Sequence, residues 1–189
     1  MVDTSPGTMD VAGHTIRDVR NYGEMSVTDL LTKSSNVGIV DLVLSMDARH
    51  LWGVYSRFGF GEVTGTGFPG ESAGVLRDYD RWRKLEQATL AYGYGLSVTP
   101  LQLTRATAAI GDGGRIRQPS FVLGTDNPPL SVVDPVLAHA LSAMMETVIE
   151  PGGTGTRAAI PGYRVAGKTG TSRKAGAGGY NDRYVASFT

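Results

Sequence analysis

The sequence predicts an α+β fold, on three observations. Helical-period apolar stripes with start and stop signals occupy residues 26–59, 99–111 and 134–153. Period-two alternation takes over after residue 160. Glycine, at 26 residues, gathers between these stretches and again near the C-terminal end, where loops and turns need it. At 189 residues the chain is long enough for one domain with a real core, and neither an internal repeat nor a domain boundary is visible.

Residues 1–25 read as loop-rich, with Pro6, Gly7, Gly13 and Gly23. Ser26 stands three residues before Asp29, a capping-box pattern that opens a helix through Leu30 and Leu31 to Lys33. Ser34-Ser35-Asn36 interrupts it. Val37, Val40, Val43 and Leu44 mark one face of a second helix, and Leu51, Tyr55 and Phe58 mark a third that ends at Gly59. Residues 59–80 form a glycine-rich connection. Thr99-Pro100 is an N-cap with proline at the first helical position, and that helix closes at Gly111. Asp134-Pro135 repeats the device; Val136, Ala140, Leu141, Met144 and Val148 are its predicted buried stripe, stopped by Pro151-Gly152-Gly153. Tyr163–Thr171 and Tyr184–Thr189 are predicted strands, joined across the glycine-rich residues 172–181 as an antiparallel hairpin without a tight turn.

Charge and composition exclude several classes. Eighteen basic residues balance eighteen acidic ones, so nothing electrostatic points to nucleic acid or to an anionic membrane surface. The absence of cysteine removes disulfides, thiolate metal sites and cysteine nucleophiles. His14, His50 and His139 lie far apart without ligand spacing, so neither a metal nor another cofactor is expected. No apolar run approaches the roughly 18 residues of a membrane span, and Met1–Pro6 has neither the basic nor the apolar part of a signal peptide, so no membrane contact is expected from this segment.

Two short motifs carry chemistry. Ser34-Ser35-Asn36 falls between two helices, and Lys168-Thr169-Gly170-Thr171 falls on the first C-terminal strand; Asn36 and Lys168 stand 132 positions apart. Alone, each has a plain structural explanation: Ser34 as a turn or cap hydroxyl, Asn36 as a helix N-cap. Together they match S-x-N and K-[ST]-G, the second and third motifs of the serine penicillin-recognising enzymes. Lys33–Gly38, Tyr55-Ser56-Arg57-Phe58-Gly59, Tyr92-Gly93-Tyr94-Gly95-Leu96, Thr99-Pro100-Leu101-Gln102-Leu103 and Pro151-Gly152-Gly153-Thr154-Gly155 extend the likeness over almost the whole chain. The sequence resembles the class B penicillin-binding proteins, and among them the cell-division peptidoglycan D,D-transpeptidases.

The resemblance implies a β-lactamase/transpeptidase-like fold, helices packed on an antiparallel sheet, and a chain truncated at both ends. It implies Ser34 relaying a proton to the leaving nitrogen and Asn36 donating its amide to a substrate carbonyl. It implies Lys168 supplying positive potential, Thr169 and Thr171 presenting hydroxyls to the substrate carboxylate, and the Thr171 N–H forming half of an oxyanion hole. Gly170 would let a substrate strand approach, and Tyr94 would line the cleft unless it is simply a packed aromatic. It further implies peptidoglycan stem peptides and β-lactams as ligands, a lipid-linked glycan polymerase and division proteins as partners, and a protein of the cell inner membrane with its catalytic domain in the periplasm, its anchor outside this segment.

One departure matters. No serine of this sequence has lysine three residues later, so the first motif, S-x-x-K, which carries nucleophile and base, is expected just before residue 1, and a further strand after Thr189. Residues 1–189 would then be a partial transpeptidase domain, inactive alone. Other readings compete. A D,D-carboxypeptidase or β-lactamase would share the two motifs, and a non-catalytic ligand-binding fragment would share the sequence. Gly162–Thr169 also spells a phosphate-binding loop, but such a loop must open a helix, which Gly170–Gly179 is unsuited to form. Arg173-Lys174 reads as a solvated loop.

Overall fold

The structure is a computed structural model and describes residues 1–176 and 179–189. It has the expected α+β composition, with antiparallel pairing in every strand pair described. The N-terminal residues carry four short strands: β1 (Val2–Asp3), β2 (Thr8–Val11), β3 (His14–Arg17) and β4 (Glu24–Met25). β2 and β3 form a hairpin, where the sequence suggested loop. Its two-residue turn is Ala12-Gly13, both at positive φ (52° and 81°). Such turns usually announce themselves with Asn-Gly or Asp-Gly, and alanine in the first position hid this one.

The helix starts follow their caps. α1 (Val27–Lys33) has the full capping box: Ser26 Oγ accepts the Asp29 N–H, and the Asp29 carboxylate accepts the Ser26 N–H. α2 (Asn36–Leu44) begins after Ser35, so the capping role the sequence offered to Asn36 belongs to Ser35, whose Oγ accepts the Gly38 N–H. α3 (Ala48–Arg57) ends with Gly59 at φ 82°. α4 (Lys84–Leu90) was not expected; it lacks a Ser, Thr, Asp or Asn cap, and the Glu86 carboxylate takes the Arg83 N–H instead.

α5 (Pro100–Gly111) opens as predicted at Thr99. Its Gln102 completes a second capping box and is 1% exposed, with its amide donating to Glu62 O and Ala73 O (2.7 and 2.8 Å). A buried amide so satisfied ties the glycine-rich 59–80 connection to the helix. After β5 (Arg115–Ile116) and β6 (Leu130–Ser131) comes α6 (Pro135–Glu146), which packs on α5 and α1.

The stripe predicted on α6 needs correction. Val136 is 78% exposed and Ala140 is exposed too; Leu141 and Met144 are half-buried beside a cleft, and only Val148 is fully inside. Within α6 the buried residues are Ala138 and Met145, on the side covered by α5 and α1, with Val148 and Ile149 buried just past the helix end. On α2, by contrast, Val37, Val40 and Val43 are buried as expected, with Leu44 packed beside Val40. α2 lies at the centre: Val40 joins Val11, Ile16 and Ala88, while Val43 joins Leu51 and Leu90. Burying each such valine contributes about 1.5–3 kcal/mol.

The C-terminal hairpin is β7 (Thr169–Gly176) with β8 (Gly179–Phe188). The expected strand start at Tyr163 is wrong. Pro161-Gly162 makes a turn, and the Gly167 N–H goes to Met145 O, so pairing begins only with Lys168 opposite Thr189. Nor are residues 172–176 and 179–181 a loose loop: the ladder continues, with one irregularity between Arg173 and Ala175, as far as Gly176 opposite Gly179. The connection at 177–178 lies outside the described residues. Lys168-Thr169 therefore enters a strand, which removes the helix that a phosphate-binding loop requires.

Candidate active site

Two joints in the fold bring the motifs together. The first is the break between α1 and α2. α1 ends because Ser34 takes the left-handed conformation (φ 57°, ψ 47°), and Ser35 caps α2 at once. A non-glycine residue held there carries strain of about 1–3 kcal/mol, which surrounding contacts must offset. They are supplied by Asp18, just past β3. Its carboxylate accepts from Ser35 Oγ (2.6 Å), the Asn36 N–H (2.6 Å) and the Val37 N–H (3.1 Å). The neighbouring Arg17 carbonyl accepts from the Asn36 side-chain amide (3.1 Å), leaving that amide one further N–H. An acidic group on a helix N-terminus is also favoured by the helix dipole. Asp18 was not singled out in the sequence; only its place after an alternating His14–Arg17 could have flagged it.

The second joint is the start of β7. Lys168 and Thr189 exchange both backbone hydrogen bonds (2.9 and 3.2 Å). In an antiparallel ladder such pairs alternate, so Gly170 and Ser172 also turn their backbone groups to β8, while Thr169, Thr171 and Arg173 turn theirs to the open edge. Two contacts agree with this: Thr169 O accepts from Lys168 Nζ (3.0 Å), and the Arg173 N–H is donated to the Tyr94 phenol oxygen (2.8 Å). Gly170 serves the ladder itself. A β-carbon there would stand 2.6 Å from Ser187 Oγ on β8, so its missing side chain makes room for the Ser187 hydroxyl.

The joints meet at one hydrogen bond. Lys168 Nζ donates to Ser34 Oγ at 2.9 Å, across 134 residues of sequence. With its oxygen accepting from Lys168, the Ser34 hydroxyl can direct its own proton into the cleft. Lys168 is half-buried, and loss of water pushes its ammonium below the ordinary lysine pKa. The Pro151–Gly155 turn braces both sides. Lys33 Nζ donates to Gly152 O (2.7 Å), and the Thr154 and Thr169 hydroxyls share a hydrogen bond of 2.8 Å. Lys33 and Thr154 stand in segments noted for their likeness, without being assigned to a site.

All seven residues named from the sequence — Ser34, Asn36, Tyr94, Lys168, Thr169, Gly170 and Thr171 — line one cleft of about 2030 Å³. Apolar side chains such as Val27, Leu141 and Met144 form part of its wall. Hydroxyls, an amide and an ammonium with open strand-edge N–H groups make a surface that can hold a peptide-like carbonyl and carboxylate and shuttle a proton beside them.

This fold and site define a class: the chain belongs to the family of penicillin binding protein transpeptidase domains, whose family model matches residues 2–189. Among curated proteins it is similar to the peptidoglycan D,D-transpeptidase FtsI of Escherichia coli, 46% identical over 179 residues, covering 93% of this chain and 30% of that protein. Among solved structures it is similar to the apo transpeptidase domain of Burkholderia pseudomallei penicillin-binding protein 3, at TM-score 0.92 and 38% identity, covering 99% of this chain and 58% of that one. It is also similar to penicillin-binding protein 3 of Mycobacterium tuberculosis complexed with ampicillin, at TM-score 0.89 and 32% identity, covering 97% and 45%. The chain thus spans about 30% of the length of that curated relative.

Proposed function

We propose that residues 1–189 form two of the three walls of a serine-type peptidoglycan D,D-transpeptidase site, which cross-links D-Ala-D-Ala stem peptides and is acylated by β-lactams. The observation that carries this reading is the 2.9 Å contact between Lys168 Nζ and Ser34 Oγ, which joins the S-x-N and K-T-G motifs in one cleft. In this reading Ser34 passes a proton to the leaving nitrogen, and Asn36 uses its second amide N–H on the acyl-side carbonyl. Lys168 favours the proton transfer. The Thr169 and Thr171 hydroxyls hold the terminal carboxylate, and the Thr171 N–H faces the developing oxyanion.

The nucleophile and its base belong to an S-x-x-K segment outside this sequence. The size of the cleft supports that assignment. At about 2030 Å³ it exceeds the roughly 300–1,000 Å³ that holds a small ligand, and its apolar wall suits a packed protein segment beside the substrate. The 189-residue chain alone is then inactive. In the whole protein the fitting setting is the cell inner membrane, the catalytic domain periplasmic, working beside a lipid-linked glycan polymerase and division proteins. Among the described residues no helix is long and apolar enough to cross a membrane.

The test is product analysis with the full-length protein. Incubated with a D-Ala-D-Ala donor and a D-amino acid acceptor, it should yield mainly the exchanged peptide, and Lys168→Met should abolish it. Hydrolysis alone would favour a carboxypeptidase. Turnover unaffected by Lys168→Met would refute the site.

A further inference from the structure

The open edge of β7 is partly occupied by the protein's own groups. Of the three residues that face outward, Thr169 has its carbonyl taken by Lys168 Nζ and Arg173 has its N–H taken by the Tyr94 phenol oxygen. Between them, among the described residues, the N–H and C=O of Thr171 are open. Tyr94 is held in place for this contact. Gly93 and Gly95 flank it at φ 90° and 95°, conformations that suit glycine, its own N–H donates to Thr89 O (3.0 Å), and its ring meets Tyr92 edge-on. The Arg173 guanidinium lies 5.7 Å from the Tyr184 ring centroid, and the cap itself is made by the Arg173 backbone N–H.

An extended peptide adding to a strand edge is held by main-chain hydrogen bonds, and only every second residue faces the edge. On an antiparallel donor, the residue opposite Thr171 uses both its groups there. The next carbonyl to face β7 comes two residues toward the donor's N-terminus, opposite Arg173. We propose that Tyr94 sets the reach of this edge: by occupying the Arg173 N–H it limits main-chain recognition of the acyl donor to the single residue opposite Thr171. Tyr94 is thereby a specificity-determining residue, and the acyl donors it favours are those whose backbone need not remain strand-like two residues upstream of the scissile bond. This rests on the transpeptidase reading for its substrate, but the cap itself does not.

Two measurements separate the claims. In the full-length protein, kcat/KM is compared for diacetyl-L-Lys-D-Ala-D-Ala and for the analogue lacking the α-acetamido group, whose carbonyl is the one that would reach Arg173. The wild type should treat them alike. Tyr94→Phe should favour the acetamido donor by about 2- to 12-fold, the worth of one intramolecular hydrogen bond. A clear wild-type preference for the acetamido donor, or no change in Tyr94→Phe, overturns the proposal. If neither donor nor benzylpenicillin reacts, the functional reading fails, and amide hydrogen exchange on the full-length protein decides the cap: Arg173 should be protected in the wild type and lose protection in Tyr94→Phe, with Gly170 and Ser172 unchanged. An unprotected wild-type Arg173 amide overturns it.

Discussion

Lys168 and Ser34, 134 residues apart in sequence, are joined by a 2.9 Å hydrogen bond from the ammonium to the hydroxyl oxygen. The contact exists because two unrelated pieces of local chemistry converge. A left-handed serine breaks one helix from the next, and a lysine stands where an antiparallel ladder begins.

Removing the Ser34 hydroxyl should therefore affect chemistry far more than folding. Ser34 is exposed, and its backbone rather than its side chain makes the turn. Ser34→Ala in the full-length protein should lower kcat for acyl transfer by about 10²- to 10⁴-fold, the range for a positioned proton carrier, with little change in thermal midpoint. An unaltered kcat would remove Ser34 from the proton path.

The desolvated ammonium of Lys168 gives a signed pH effect on stability. Its folded pKa is lowered by burial, below the ordinary lysine value of 10.5. Between that lowered value and 10.5, the unfolded chain holds a proton that the native chain has released, so stability rises with pH through this window. Lys168→Met has no such proton. The stability of the wild type relative to Lys168→Met, from urea denaturation at a series of alkaline pH values, should climb toward pH 10.5; a decline would contradict the assigned cause.

Asp18 holds the start of α2 through two backbone N–H groups and one hydroxyl. Asp18→Ala should cost about 1–3 kcal/mol, because those donors lose a charged acceptor. The Asn36 and Val37 amides should exchange faster with solvent. Unchanged exchange at both would mean that Ser35 suffices as the cap.

Two glycines should respond oppositely to alanine. A β-carbon on Gly153 would lie 2.2 Å from Val148 O, a backbone atom that cannot turn away. Gly153→Ala should thus destabilise by about 1–3 kcal/mol. Gly111, at the end of α5, has nothing within 4 Å of its absent β-carbon and no positive φ, so Gly111→Ala should stabilise by about 0.4–1 kcal/mol. Chemical denaturation of both variants checks the pair.

Local signals explain what was legible in the sequence. Ser26 with Asp29 and the Thr99 cap set helix starts through short-range hydrogen bonds, and proline at the first position of α5 and α6 sets them through its fixed φ. The motif residues were legible for another reason: the likeness carried their positions, not any geometry in the sequence. What escaped was set by partners. The buried side of α6 depends on where α5 and α1 lie, so Ala138 and Met145 replaced Val136 and Ala140. The extent of β7 depends on β8, and Gly167 instead bonds to Met145. α4 begins on Arg83 without a standard cap, and the β2–β3 turn uses alanine where asparagine is usual. Asp18 acts on residues 17 to 19 positions away, a distance at which no pattern in the chain links them.

Under the proposed function, residues 1–189 carry the proton path and the carboxylate and oxyanion contacts for a nucleophile located elsewhere. Mass spectrometry after benzylpenicillin treatment tests this most directly, on the 189-residue chain and on the full-length protein. Acylation needs an activated hydroxyl, a base within hydrogen-bond reach and an oxyanion hole, and loss of one oxyanion donor alone typically costs about 2.7–4 kcal/mol. No adduct is expected on the 189-residue chain, and one stoichiometric adduct on the full-length protein, mapping to the serine of an S-x-x-K outside residues 1–189. A stable one-to-one adduct on Ser34, or on any serine within these residues, would contradict it.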